Sequence, residues 1–180
     1  MSKQVIGIVG TIGAGKDTAG DYLAKQLNIP IYQISAPLKM LCTEKGLEAT
    51  RENLIALGTK LAAEKGEGYL AEYIVGYAPD SFIITGMRQL GQISFLKSST
   101  EFKLVSIDAK PEIRFERIKR NSKIGEADSL VDFNAREKAE NNPPNIQRLF
   151  ECMKLADYHI INEGSLDDLY AQFDSLIEEF

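Results

Sequence analysis

The residues of this 180-residue chain best suited to chemistry come early, in the stretch GTIGAGKDT, where Gly10, Ile12, Gly13, Ala14 and Gly15 lead into Lys16, Asp17 and Thr18. Glycines let a backbone close around an anion without Cβ clashes, and a lysine ending such a turn supplies a mobile cation for the outer phosphates of a nucleotide. The spacing is close to that of the phosphate loop G-x-x-x-x-G-K-[ST]. Asp17, however, stands where that pattern has a hydroxyl, and Thr18 follows one place later. A glycine-rich turn with a chance lysine is the plain alternative; the three glycines, the lysine and the elements on either side weigh against it together.

A second group lies in TGMRQLGQ, where Arg88 follows the end of an apolar run and Gln92 comes four residues later. A guanidinium grips phosphate with two parallel donors, and a carboxamide offers both a donor and an acceptor to a base edge. An arginine pointing to solvent at a strand end would look the same. A third group is the cation run Arg114, Arg117, Lys119 and Arg120; a solvated helix face accounts for Arg114 and Lys119 equally well, so these two are not counted as site residues. Cys42, Cys152 and His159 lack metal-ligand spacing, and both cysteines read as small core or boundary residues.

These groups need elements to hold them. Four short β-branched runs, QVIGIV (4–9), SFIITG (81–86), KLVSID (103–108) and YHIIN (158–162), read as buried parallel strands, with a weaker fifth in IPIYQI (29–34). Between them the apolar spacing turns helical, as at Ala19, Tyr22, Leu23 and Leu27. Pro111 suits a first helical turn, and Ser165 with Asp168 forms a capping box ahead of Leu166, Leu169, Phe173, Leu176, Ile177 and Phe180. Strand and helix alternating throughout predict an α/β fold with a parallel sheet, whose ligands bind at the carboxyl ends of the strands.

Composition bounds the rest. With 44% hydrophobic and 26% charged residues the chain reads as a soluble globular protein, and its length suits one domain spanning 1–180. No apolar run approaches the roughly 20 residues of a membrane span, and MSKQVIGIVG does not read as a secretory signal, so a cytoplasmic protein without membrane partners is expected. A formal charge of -5 argues against a general nucleic-acid surface.

The pattern GxxGxGKxT resembles the loop of the P-loop nucleoside monophosphate kinases, and its GKDT ending is similar to that of the phage deoxynucleoside monophosphate kinases. ADYHIINEGS (156–165) resembles the fifth strand and turn of dephospho-coenzyme A kinase. The resemblance implies a three-layer P-loop kinase fold: a five-stranded parallel sheet in the order 2-3-1-4-5, acceptor-binding helices over about 35–78, and a mobile lid over about 120–138. It implies ATP and Mg2+ as cofactors and a small nucleotide as acceptor, with Thr18 on a donor phosphate and Asp17 near the metal. Arg88 would hold the acceptor phosphate and Gln92 its base, with Ser35 and Arg51 also on the acceptor side. Arg117 would lie against the adenine and Arg120 and Arg136 would reach the transferring phosphoryl group. Asn162 and Gly164 would border the adenine, although a strand-to-helix turn explains them as well.

Two departures qualify the resemblance. Adenylate kinases carry an aspartate where this chain has Thr85, so Asp17 is read as taking over part of the magnesium role. Dephospho-coenzyme A kinases carry a carboxylate after the second strand to take a proton from a hydroxyl, and YQISAPLK (32–39) has none. A phosphate acceptor is already anionic and needs no base. A monophosphate acceptor is therefore favoured over dephospho-coenzyme A, with a nucleotide-binding switch as the non-catalytic alternative.

Overall fold

The computed structural model describes residues 2–120, 129–142 and 147–180. In chain order the elements are β1 (Gln4–Gly10), α1 (Lys16–Leu27), β2 (Ile31–Gln33), α2 (Ala36–Glu44), α3 (Arg51–Lys65), α4 (Tyr69–Tyr77) and β3 (Ser81–Thr85), followed by α5 (Leu90–Ser99), β4 (Glu101–Asp108), α6 (Pro111–Arg120), α7 (Leu130–Glu140), α8 (Leu149–Lys154), β5 (Tyr158–Ile161) and α9 (Leu166–Ile177). The strands form one parallel sheet in the order β2-β3-β1-β4-β5. This is the three-layer α/β fold and strand order expected of a P-loop kinase.

The central strands are apolar because they are covered on both sides. Along β1, Val5 and Val9 join one core with Phe82, Ile84 and Leu104, while Ile6 and Ile8 join the other with Ile83, Val105 and Ile107. This two-residue alternation sends successive side chains to opposite faces. Helices α2, α4, α5 and α8 contribute to the first core, and α1 and α9 to the second. The chain winds from β1 to β2 on one side, then crosses from β3 to β4 on the other. That reversal opens a crevice beyond the carboxyl ends of β1, β3 and β4.

Local signals set the helix starts. Ser165 accepts from the Asp168 amide and Asp168 answers the Ser165 amide, so the expected capping box is formed; of the apolar positions that follow, Leu169 and Phe173 are buried, but Leu166 is exposed. Thr50 and Ser129 cap α3 and α7 by accepting the amides of Asn53 and Asp132. The segment expected to form the acceptor helices, 35–78, holds α2, α3 and α4. Of the expected lid, 120–138, residues 121–128 lie outside the described residues; Arg120 ends α6 and 130–138 belong to α7. No described helix is long and apolar enough to cross a membrane.

Candidate functional site

The loop between β1 and α1 is held by donors aimed at its carbonyl oxygens. Lys16 Nζ donates to the Thr11 carbonyl at 2.9 Å, Arg114 Nη1 to that of Ile12 at 3.2 Å, and Asn162 Nδ2 to that of Ala14 at 2.8 Å. Thr11 Oγ1 donates to Asp108 Oδ1 at 2.6 Å, tying the loop to the end of β4. A loop whose carbonyls are engaged in this way suits an anion, for which backbone amides and the positive N-terminus of the next helix are the usual donors. Gly13 and Gly15 have φ of 78° and 100°, values that side chains with a Cβ rarely adopt. Space forbids a Cβ as well, since it would sit 2.7 Å from the Arg114 carbonyl at Gly13 and 2.5 Å from Asn162 Nδ2 at Gly15.

Two cavities flank this loop. One, of about 570 Å³, is lined by Ile12, Gly13, Gly15, Thr18, Arg117, Ile118, Asn162 and Gly164, with Ser165, Leu166 and Leu169 of the last turn and helix. The other, of about 440 Å³, has an apolar wall of Ile34, Leu38, Leu54, Ile55 and Leu70 and a polar rim that includes Gln33, Ser35, Thr85, Gln89, Gln92 and Gln147. Lys16, Asp17, Arg51 and Arg88 line both. Three cations and one carboxylate thus stand where the two spaces meet.

Several residues singled out in the sequence also hold the local structure together. Asn162 is buried; besides holding the Ala14 carbonyl, it accepts from Arg117 through its backbone oxygen at 2.9 Å and its side-chain oxygen at 3.4 Å. Burial, and then neighbouring Arg120, lower the pKa of Arg117. Gln92 is also buried and forms a capping box with Gln89: its Oε1 accepts from the amides of Arg88 and Gln89, and its Nε2 donates to Gln89 Oε1. It borders the second cavity but spends most of its hydrogen-bonding capacity on the turn. Gly10 and Ala14 line neither cavity; Gly10 ends β1 against the Ile107 carbonyl, and Ala14 is buried behind the loop.

Arg120 and Arg136, expected on the phosphate side, are exposed and line neither cavity. The inward face of α7 is taken by Phe133 and Glu137, which turns Arg136 outward. Arg51, expected only on the acceptor side, borders both spaces.

Two residues escaped the sequence reading. Arg114, read there as a solvated cation, is only 3% exposed and forms a bidentate pair with Glu137 while bonding the Ile12 and Ala109 carbonyls. Gln147 lines the second cavity and accepts from Arg88 Nη1 at 3.4 Å. The run of four cations was a signal for the first of these. Nothing in the spacing marks the second.

Known proteins give a consistent architectural context. The sequence profile of a family described as AAA domain matches residues 6–141. A UPF0200 protein of Methanocaldococcus jannaschii is 28% identical over 181 residues, which cover 97% of this chain and 89% of the relative. A shikimate kinase from Acinetobacter baumannii, solved with shikimate, has a TM-score of 0.61 at 19% identity over 98% of this chain and 94% of its own. A gluconokinase from Sinorhizobium meliloti gives 0.57 at 12% identity over 98% and 92%. At these identities the solved structures speak for the fold alone.

Proposed function

This chain belongs to the AAA domain family, and on that premise we propose that it is a kinase transferring the γ-phosphoryl group of ATP to a nucleoside or deoxynucleoside monophosphate. The observation that carries the proposal is the pair of cavities sharing Lys16, Asp17, Arg51 and Arg88. A donor and an acceptor seated one in each would bring their phosphates together among three cations. Phosphoryl transfer asks for little else, since its catalysis rests on positioning and charge stabilisation.

In this reading the loop and the start of α1 hold the donor phosphates, with Lys16 leaving the Thr11 carbonyl for them. Arg117, restrained by Asn162, flanks the nucleoside end of the donor beside Ile118 and Gly164. Arg88 and Arg51 take the acceptor phosphate, and the wall of Leu38, Leu54 and Ile55 takes its base. Mg2+ belongs to the proposal as well. No group of three or more His, Cys, Asp or Glu side chains among the described residues forms a metal cage. An ion carried in by the nucleotide phosphates needs only one or two protein oxygens, and Asp17 with Thr18 fits that need. When bound, the ion supplies charge neutralisation between the phosphates.

The acceptor side favours a phosphate over a hydroxyl. Asp17 is the sole carboxylate among the residues lining that cavity, and it stands on the donor side too. A hydroxyl acceptor, such as dephospho-coenzyme A, would have to use it as general base, and that shared position is what favours this second reading. ADP release from MgATP, measured against a panel of monophosphates and against dephospho-coenzyme A, separates the two. Absence of any acceptor-dependent ADP would overturn both and leave a nucleotide-binding switch.

A further inference from the structure

We propose that Glu67 and Arg148 are positioning residues for Arg88, a role resting on the reading of Arg88 as the ligand of the acceptor phosphate. Arg88 sits in the turn between β3 and α5, and its main chain is gripped from both sides. Its N–H donates to Gln92 Oε1 at 3.0 Å, and its carbonyl accepts the Arg148 N–H at 2.7 Å. Its Nη1 donates to the neighbouring Gln147 Oε1. The two residues directly before α8 therefore hold Arg88 by backbone and by side chain.

Glu67 holds that segment in turn. Arg148 Nη2 donates to both its carboxylate oxygens, at 3.1 and 3.4 Å, while Glu67 Oε2 accepts the Gly91 amide at 3.0 Å, in the first turn of α5. A carboxylate there is favoured by the positive end of the helix. The contact is tight: a Cβ on Gly91 would lie 2.4 Å from Glu67 Cβ. Glu67 also lies in the turn between α3 and α4, which supply Leu54, Ile55 and Leu70 to the cavity wall. One side chain thus links the acceptor wall, the helix after Arg88 and the segment gripping Arg88.

Neither Glu67 nor Arg148 lines either of the two cavities described, and at 32% and 37% side-chain exposure their pair contributes little to global stability. Its effect should appear at Arg88. An arginine head at the end of a long stem is displaced by small shifts of its main chain, and misplacement of a binding group by about 1 Å costs up to about a hundredfold.

The test measures acceptor affinity by calorimetry with the four common deoxynucleoside monophosphates, together with acceptor and MgATP KM values, for wild type, Glu67→Gln, Arg148→Met and Arg88→Ala. Arg148→Met keeps the backbone N–H and removes only the charge contact, so it serves if Glu67→Gln folds poorly. The expected result is acceptor binding weakened about tenfold in both outer variants, with MgATP KM and melting temperature held. Non-additive effects in the double variant would mark the two as one unit. If Arg88→Ala abolishes acceptor binding and the outer variants leave it unchanged, the positioning role is overturned while the reading of Arg88 stands. If Arg88→Ala itself changes nothing, that reading fails and the positioning role falls with it. Parallel losses in both KM values and melting temperature would make the pair merely structural and overturn the proposal.

Discussion

Arg114 and Glu137, 23 residues apart in the chain, meet as a bidentate pair in which Nη1 and Nη2 donate to the two carboxylate oxygens at 2.7 and 2.8 Å. The same arginine bonds the Ile12 carbonyl of the loop and lies over the ring of Phe133. It therefore fastens α7 to α6 and both to the phosphate loop. With 3% and 11% side-chain exposure, both partners are largely withdrawn from water.

Removing one partner should be costly for that reason. Arg114→Met leaves the Glu137 carboxylate unpaired, and loss of half of a buried pair costs about 3–5 kcal/mol. At about 2–4 °C per kcal/mol for a chain of this size, the melting temperature should fall by roughly 6–20 °C. Arg114→Met combined with Glu137→Leu should be milder than the single change, because no charge is then stranded. Thermal unfolding of the wild type and these two variants checks this.

Asn162→Ala should act on the donor side. It strips the Ala14 carbonyl of its side-chain donor and Arg117 of its 3.4 Å side-chain acceptor, while the bond from Arg117 to the backbone oxygen of residue 162 stays. Losing a buried hydrogen bond costs about 1–3 kcal/mol. The expected outcome is a raised MgATP KM with the acceptor KM unchanged. Steady-state kinetics with each substrate varied in turn distinguishes this from a general loss.

Asp17→Ala should weaken nucleotide binding in the presence of Mg2+ far more than in its absence. Titration of ATP with and without the metal reads the difference directly. An unchanged magnesium dependence would exclude Asp17 from the metal's surroundings.

The capping box of α9 gives the chain a pH-dependent contribution. Asp168 has its pKa lowered, first by the Ser165 amide and then by the Ser165 hydroxyl. A depressed carboxylate stabilises the fold above its unfolded pKa, and that contribution disappears as the pH falls through the folded value. Asp168→Asn should therefore be less stable than wild type at neutral pH, with the difference shrinking as the pH drops below about 4. Denaturant unfolding at a series of pH values provides the measurement.

Local chemistry made much of the molecule readable. Strands β1, β3 and β4 were visible because both faces of a parallel sheet are covered there, which leaves short, continuous apolar runs, and the edge strand β5 by its short apolar run YHII, of which Ile160 is buried. Gly13, Gly15 and Lys16 were visible because a loop around an anion restricts backbone conformation within a few residues. The Ser165–Asp168 cap was visible because both partners lie in one helical turn. The capping bonds of Gln92 and the buried pairing of Arg114 were not. A glutamine suited to a base edge is equally suited to the helix start three residues behind it, and only packing decides which. An arginine in a run of cations reads as solvated until a carboxylate 23 residues away is brought to it.

The same division holds for the site as a whole. The sequence alone determined that a strand ends in an anion-binding loop, that a helix follows it, and that an arginine waits at the end of another strand, since each depends on neighbours within one turn. Only the tertiary structure decided which cations share a space. Lys16, Arg51 and Arg88 come from α1, α3 and the turn after β3, and it is the parallel sheet, by placing the carboxyl ends of β1 and β3 side by side, that brings them to the junction of two cavities.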